Sequence, residues 1–255
     1  MTLTASVPVN ERVLHLLVCI ARHGQAVSAR DLAAQSRLPL STVYRHLKLL
    51  KKWGLIQEHA QTGLVEAGPV SVQLARGFDQ QSWLMAQARP EIEQLVARTG
   101  ESVGLLAYVN GQIICLDMQD SEHALRCSFA KGRANSTVRG ASAKALLAFL
   151  PDALQQELIA KEFPERVSHA GDASCDRAEL LQQLQIIRQQ RYATSDSEID
   201  IGIWGVSVPV FSPHGRLEAS LSLMAPSARV QDKKNELINS TVAAADRISR
   251  ALQQV

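Results

Sequence analysis

Aromatic side chains make up only 4% of the 255 residues, and the four cysteines (Cys19, Cys115, Cys127 and Cys175) are widely scattered. Thiols so placed form neither the close CxxC pairs of a zinc site nor the dense framework of a disulfide-stapled domain. They read as reduced thiols. Also missing is any run approaching about 18 uncharged apolar residues, which excludes a membrane-spanning helix. The opening MTLTASVPVN has neither the basic flank nor the apolar stretch of an export signal. No membrane partner is expected, and the chain reads as cytoplasmic. Seven histidines are dispersed without HExxH or paired His/carboxylate spacing, so no metal and no cofactor is expected. A strong net charge is lacking too, at +2, until the chain is divided. Residues 1 to 76 hold nine Lys/Arg against four Asp/Glu, and the remainder carries −3. The basic excess is amino-terminal, which is where a nucleic-acid footprint would lie.

What is present is a 46% hydrophobic chain, long enough for one large domain or two smaller ones. Asn10 is a candidate N-cap for a first helix carrying Val13, Leu14, Leu17 and Ile20 and stopping at Gly24. Ser28 and Asp31 form a capping box that opens a short second helix, and Ser36 to Leu38 turn the chain. Pro39 suits the first turn of a third helix, whose Val43, Leu47 and Leu50 form an apolar stripe ending near Trp53 and Gly54. Two strand-like runs at 55 to 58 and 64 to 67 follow, joined by HAQTG. Helix, helix, turn, helix, hairpin is the order of a winged helix-turn-helix, assigned to residues 1–68. Val70, Leu74 and Phe78 then mark a linker helix over 69–89, stopped by Arg89-Pro90. Residues 90–255 mix helices with meandering strands, among them a hairpin at Asn110-Gly111, a strand-like stretch around 124 to 129 and a final helix near 231 to 252. The fold class is α+β, with an antiparallel sheet flanked by helices.

With the stripe buried, the third helix presents Ser41, Thr42, Tyr44, Arg45 and Lys48, with Lys51 and Lys52 beyond. Arg45 can donate two hydrogen bonds to a guanine edge, whereas Ser41, Thr42 and Tyr44 near the helix start suit phosphates or bases. Arg30 and Arg22 could add backbone contacts. HAQTG offers only His59 as a cation, so minor-groove contact by the wing is not expected.

The segment RDLAAQSRLPLSTVYRHLKLLKKWGLI resembles the helix-turn-helix of the isocitrate lyase regulator (IclR) family of bacterial transcription factors. TGESVGLLAYVNGQIICLD, ASAKALLAFLP, QQRYATSDSEIDIGIWGVSVPVF and ASLSLMAP resemble successive pieces of that family's carboxy-terminal domain, in the same order. The resemblance implies a GAF-like effector domain at 90–255, a metabolite-responsive regulator of a catabolic operon acting more often as a repressor, and a homodimer or homotetramer. Its DNA partner would be a near-palindromic double-stranded operator. Carried over by motif, the effector contacts would be Ala141, Ser142, Ile203, Gly205, Ser222 and Met224, with Asp196 near a position that is often acidic. Ala143 stands where the family usually has Gly, the wing lacks the usual basic-aromatic strand, and Met224 stands in a strand where relatives often show SxSGP. A helix amino terminus at 141–144 would offer N–H groups to the carboxylate of a small organic acid, and the Met224 thioether favours an aromatic or aliphatic body.

Ser142-Ala143-Lys144 superficially resembles a serine nucleophile with its base. Helical residues two apart point to different faces and cannot share a proton, so no catalytic residues are assigned. A sensing or protein-interaction module with a lapsed DNA-binding half is the alternative, favoured only by the weak wing.

Overall fold

The computed structural model describes residues 7–163 and 172–253, which form two compact units divided between Ser82 and Trp83. In the first, α1 (Arg12–His23), α2 (Ala29–Ser36) and α3 (Leu40–Lys52) enclose a core of Leu16, Leu32, Val43, Leu47 and Leu50. The strands β1 (Ile56–Glu58) and β2 (Val65–Ala67) close that core with Ile56 and Val65, and Val27 bridges to Val65. Local chemistry sets several boundaries as the sequence leads one to expect. Ser28 Oγ accepts the Asp31 N–H at 3.1 Å, and Gly24 ends α1 in the left-handed region at φ 70°. Two caps differ. The residue before α1 is Glu11, not Asn10, and it makes no side-chain cap. Pro39 precedes α3 at its N-cap position instead of lying in its first turn.

The unit ends in α4 (Val70–Gln81), where Ser82 turns to extended backbone. The expected linker helix over 69–89 is therefore broken at 82, and Pro90, expected as its stop, lies inside α5 (Trp83–Thr99). Proline within a helix costs about 3 kcal/mol. The fully buried Met85, Ile92 and Leu95 on the same helix each return about 1.5–3 kcal/mol, so packing outweighs the lost hydrogen bond.

In the second unit β3 (Ser102–Val109) and β4 (Gln112–Gln119) form the hairpin at Asn110-Gly111, both of which have positive φ. The order then runs β5 (Ala134–Asn135), α6 (Ala141–Leu147), α7 (Asp152–Glu162), α8 (Asp172–Gln190), β6 (Ala193–Asp196), β7 (Ile203–Phe211), β8 (Leu217–Pro226), α9 (Ser227–Val230) and α10 (Lys234–Leu252). Six strands make one antiparallel sheet in the order β5-β4-β3-β8-β7-β6. Val206, Val208, Leu221 and Leu223 face α5 and α10 in the larger core. The opposite face, with Gly205, Ser207 and Ser222, lies under α6, which packs on β7 and β8. The strand expected around 124 to 129 is a loop instead: Cys115 on β4 gives its N–H to Arg133 and accepts from Gly132, so later residues occupy that edge.

One tight crossing organises the wing. Gly68 N–H donates to Leu55 O, and a Cβ built on Gly68 would fall 2.4 Å from Gly54 O and 2.8 Å from Ile56 backbone atoms. Backbone cannot swing aside as a long side chain does. Gly68→Ala should destabilise the amino-terminal unit by about 3 kcal/mol, the upper part of the usual overpacking range. Thermal melts should register that loss while the transition of residues 83–255 stays in place.

Candidate nucleic-acid interface and ligand cavity

On α3 the buried residues are Val43, His46, Leu47 and Leu50. His46 extends the expected stripe; burial first, then the Arg45 and Arg12 charges, hold its imidazole below the ordinary value. A neutral ring can sit in that core; a charged one would be desolvated without a partner. The opposite face exposes Ser41, Tyr44, Arg45 and Lys48, with Thr42 half-buried and Arg30 exposed on α2. Lys51 is diverted, since it pairs with Glu58 on the wing. His59 pairs with Glu66 at 3.1 Å, which leaves the wing tip, residues 59–63, without an unpaired cation.

In the carboxy-terminal unit a cavity of ≈ 470 Å³ opens between α6, the β7–β8 strands and the loops at 126–139 and 199–201. That volume suits a small organic molecule. Ala141, Ser142, Ile203, Gly205, Ser222 and Met224 all line it, brought together from three separate stretches of chain. The register explains how: Gly205 pairs with Met224 and Ser207 with Ser222, so these residues share one face of the sheet. A Cβ on Gly205 would lie 3.8 Å from the Ala141 methyl, so glycine leaves the floor open beneath α6. Ser142 Oγ lies 3.0 Å from Ser222 Oγ, which lies 2.6 Å from the fully buried Ser207 Oγ.

One expectation needs correction and another is narrowed. Asp196 is not part of the lining; its carboxylate accepts the Ser227 hydroxyl at 2.6 Å and pairs with Lys234 at 3.2 Å. Those bonds, Ser227's first, hold it below the usual carboxylate range. At the start of α6, two of the N–H groups are already committed. Gly140 N–H donates to Glu198 Oε2 and Ala141 N–H to Ser195 Oγ, both at 3.1 Å.

Several lining residues escaped the sequence reading, notably Phe129, Ile199, Ile201, Arg126, Arg133 and Arg139. Arg126, Phe129, Arg133 and Arg139 lie between the recognisable motifs, Ile199 and Ile201 lie in the acidic stretch of one, and no periodicity marks any of them. Ile201 is 96% exposed, an unusual place for an aliphatic side chain that also borders a cavity. Its loop is anchored from within: Glu198 Oε1 accepts the Lys144 ammonium at 2.5 Å, and Gln183 Oε1 takes a second bond at 3.1 Å. Lys144 is buried, so this pair holds an ammonium with little access to water.

The comparisons with known proteins agree with this layout. The IclR helix-turn-helix domain model matches residues 10–60, and the bacterial transcriptional regulator IclR C-terminal model matches residues 80–250. The transcriptional regulator BhcR of Paracoccus denitrificans is 25% identical over 237 residues, 93% of this chain and 84% of that protein. The transcriptional repressor IclR of Escherichia coli is 26% identical over 225 residues, 88% and 81% of the two chains. Among solved structures, an IclR family transcriptional regulator from Brucella abortus superposes with TM-score 0.81 at 19% identity, covering 96% of this chain and 92% of that one. An IclR homolog from Microbacterium hydrocarbonoxydans, solved in complex with 4-hydroxybenzoate, superposes with TM-score 0.72 at 22% identity, covering 96% and 99%. These two establish the fold. A DNA-binding bacterial transcription regulator with an α+β carboxy-terminal domain is the class so defined. The chain belongs to the IclR family, whose members are regulators and not enzymes. Among the described residues no helix is long and apolar enough to cross a membrane.

The Lys144–Glu198 pair makes an asymmetric prediction. Glu198→Ala strands a buried ammonium, so it should cost close to the lower end of the about 3–5 kcal/mol typical of a broken buried pair. Lys144→Met should cost much less, because the Glu198 side chain is 34% exposed and water can take over its free oxygen. Denaturant titration of the two variants measures the difference directly.

Proposed function

We propose that this chain represses a catabolic operon by reading a near-palindromic operator as a homodimer or homotetramer, and that it responds to a small organic acid bound in the α6–β7–β8 cavity. The observation that carries the DNA reading is the face of α3, where Arg45, Lys48, Tyr44 and Ser41 stand exposed opposite a fully buried stripe. Arg45 has the reach and the paired donors for a guanine edge; Lys48, Arg30, Ser41 and Thr42 are suited to phosphates. Repression is supported by relatives described as repressors, among them the transcriptional repressor IclR and an acetate operon repressor.

Assembly is supported by α4. Leu74 and Phe78, four residues apart on one face of that helix, are 62% and 43% exposed. Helices with an uncovered apolar face pack against a partner, and a second copy supplies the same face by two-fold symmetry.

The acid effector is supported by the cavity's lining, which has three arginines against one acidic residue, Asp200, and includes the apolar Ile203 and Met224. The relative solved with 4-hydroxybenzoate favours an acid with an aromatic body. A ligand shifts DNA binding only through different affinities for the two states, so effector and operator must weaken one another reciprocally.

A mobility-shift assay on the protein's own upstream intergenic DNA, run with a panel of small carboxylates, tests the whole reading. Arg45→Ala should lose about 1–3 kcal/mol at particular operator positions, whereas Lys48→Ala should weaken all sequences alike and flatten the salt dependence. Unchanged operator affinity in Arg45→Ala would exclude α3 as the reading helix. Light scattering at micromolar concentration should return at least a dimer mass, and a monomer would remove the α4 interface.

A further inference from the structure

We propose that Ile199 is the residue by which the cavity selects an acid with an apolar body. This rests on the organic-acid reading above and adds the side chain that reads the body of the ligand.

A ligand gains affinity from apolar contact in proportion to the area it removes from water, so the side chains that matter are those still uncovered. Of the apolar residues bordering the cavity, Val206 and Leu223 are fully buried in the core beneath α5 and α10, and Met224 is only 7% exposed. The thioether has little surface left to give. Ile199 and Ile201 are the reverse, at 56% and 96% exposed. An isoleucine uncovered to 96% rests against almost nothing and makes no wall. Ile199 does: a Cβ built on Gly140 would fall 3.1 Å from its Cγ1 and 3.6 Å from its Cδ1. Its side chain lies against the backbone where α6 begins, next to Ala141 and Ser142 of the same lining, with more than half of its surface open.

That position is fixed before any ligand arrives. Glu198, one residue earlier, accepts the Gly140 N–H with one carboxylate oxygen and the Lys144 ammonium with the other. One residue later, Asp200 O accepts the Ile203 N–H at 3.2 Å, and Gly202 O accepts the Ser227 N–H at 2.8 Å. Ser197 and Gly202 lie at positive φ, 60° and 79°, and the Gly202 N–H donates to Ser197 Oγ at 3.0 Å, so the turn closes on itself. A side chain on a backbone held this way loses little freedom when a ligand covers it, and most of the hydrophobic gain is kept. Gly140 admits the contact: its φ of 86° suits glycine, and a methyl group there would press on Ile199. An acid whose body reaches Ile199 therefore covers surface that a two-carbon acid leaves wet.

The test measures acetate, butanoate, hexanoate and 4-hydroxybenzoate by calorimetry on the full-length protein. In the wild type, affinity should rise along the straight-chain series by up to about fourfold for each methylene that the cavity covers. Ile199→Ala removes three carbons and should cost hexanoate and 4-hydroxybenzoate about tenfold, while acetate stays within about twofold. Ile199→Leu keeps the carbon count and should hold hexanoate within about twofold of wild type. Ligand-free operator binding should not change in either variant. Equal losses for acetate and hexanoate in Ile199→Ala, or no loss for either, overturns the role given to Ile199 and leaves the acid effector in place. So does a fall in light-scattering mass with every ligand affinity intact, which would make Ile199 a contact between copies. A wild type that binds none of the four acids overturns the effector class, and this selection with it.

Discussion

The pairing of β7 with β8 is the constraint on which the carboxy-terminal domain depends. Its register sets Gly205 opposite Met224 and Ser207 opposite Ser222. In a strand successive side chains alternate faces, so a slip of one residue would exchange the two faces entirely. As paired, Val206, Val208, Leu221 and Leu223 enter the core beneath α5 and α10, and the small and hydroxyl-bearing residues face α6. The same alignment that buries the valines therefore creates the cavity floor. Core and cavity are two sides of one pairing.

Above that floor, polar groups decide what the cavity can accept. Glu198 meets both the Lys144 ammonium and the Gly140 N–H, fastening the loop that carries Ile199 and Ile201 to the start of α6. Burying Lys144 without that partner would be costly, so the pair holds the loop against α6. It also occupies the Gly140 N–H, one of the donors at the start of α6.

In the amino-terminal unit the governing requirement is close backbone approach. The chain passes Gly54 and Ile56 at Gly68 with no room for a side chain, and this fixes where β2 leaves the end of α3. The wing's charges then pair among themselves and with Lys51, leaving the α3 face as the basic surface of the unit. Burial of His46 alongside Val43 and Leu47 keeps one face of α3 inward and Arg45 and Lys48 outward.

The sequence by itself determined those features whose causes lie within a few residues. The α3 stripe follows from helical period, the Ser28 cap from a hydroxyl three residues before its N–H, and the 110–111 turn from Asn-Gly in positive φ. Family motifs brought six cavity residues into view before any coordinates did. Local reading failed wherever distant packing outweighed local preference. Pro90 continues a helix because its neighbours are buried, residues 124 to 129 stay a loop because Gly132 and Arg133 occupy the β4 edge, and Asp196 turns to Lys234. Only the tertiary structure could join Lys144 to Glu198 across 54 positions or Ser142 to Ser222 across 80. No spacing rule reaches so far along a chain. The commitment of the Gly140 and Ala141 N–H groups was decided there, because whether a polar group is available depends on every neighbour the fold brings to it.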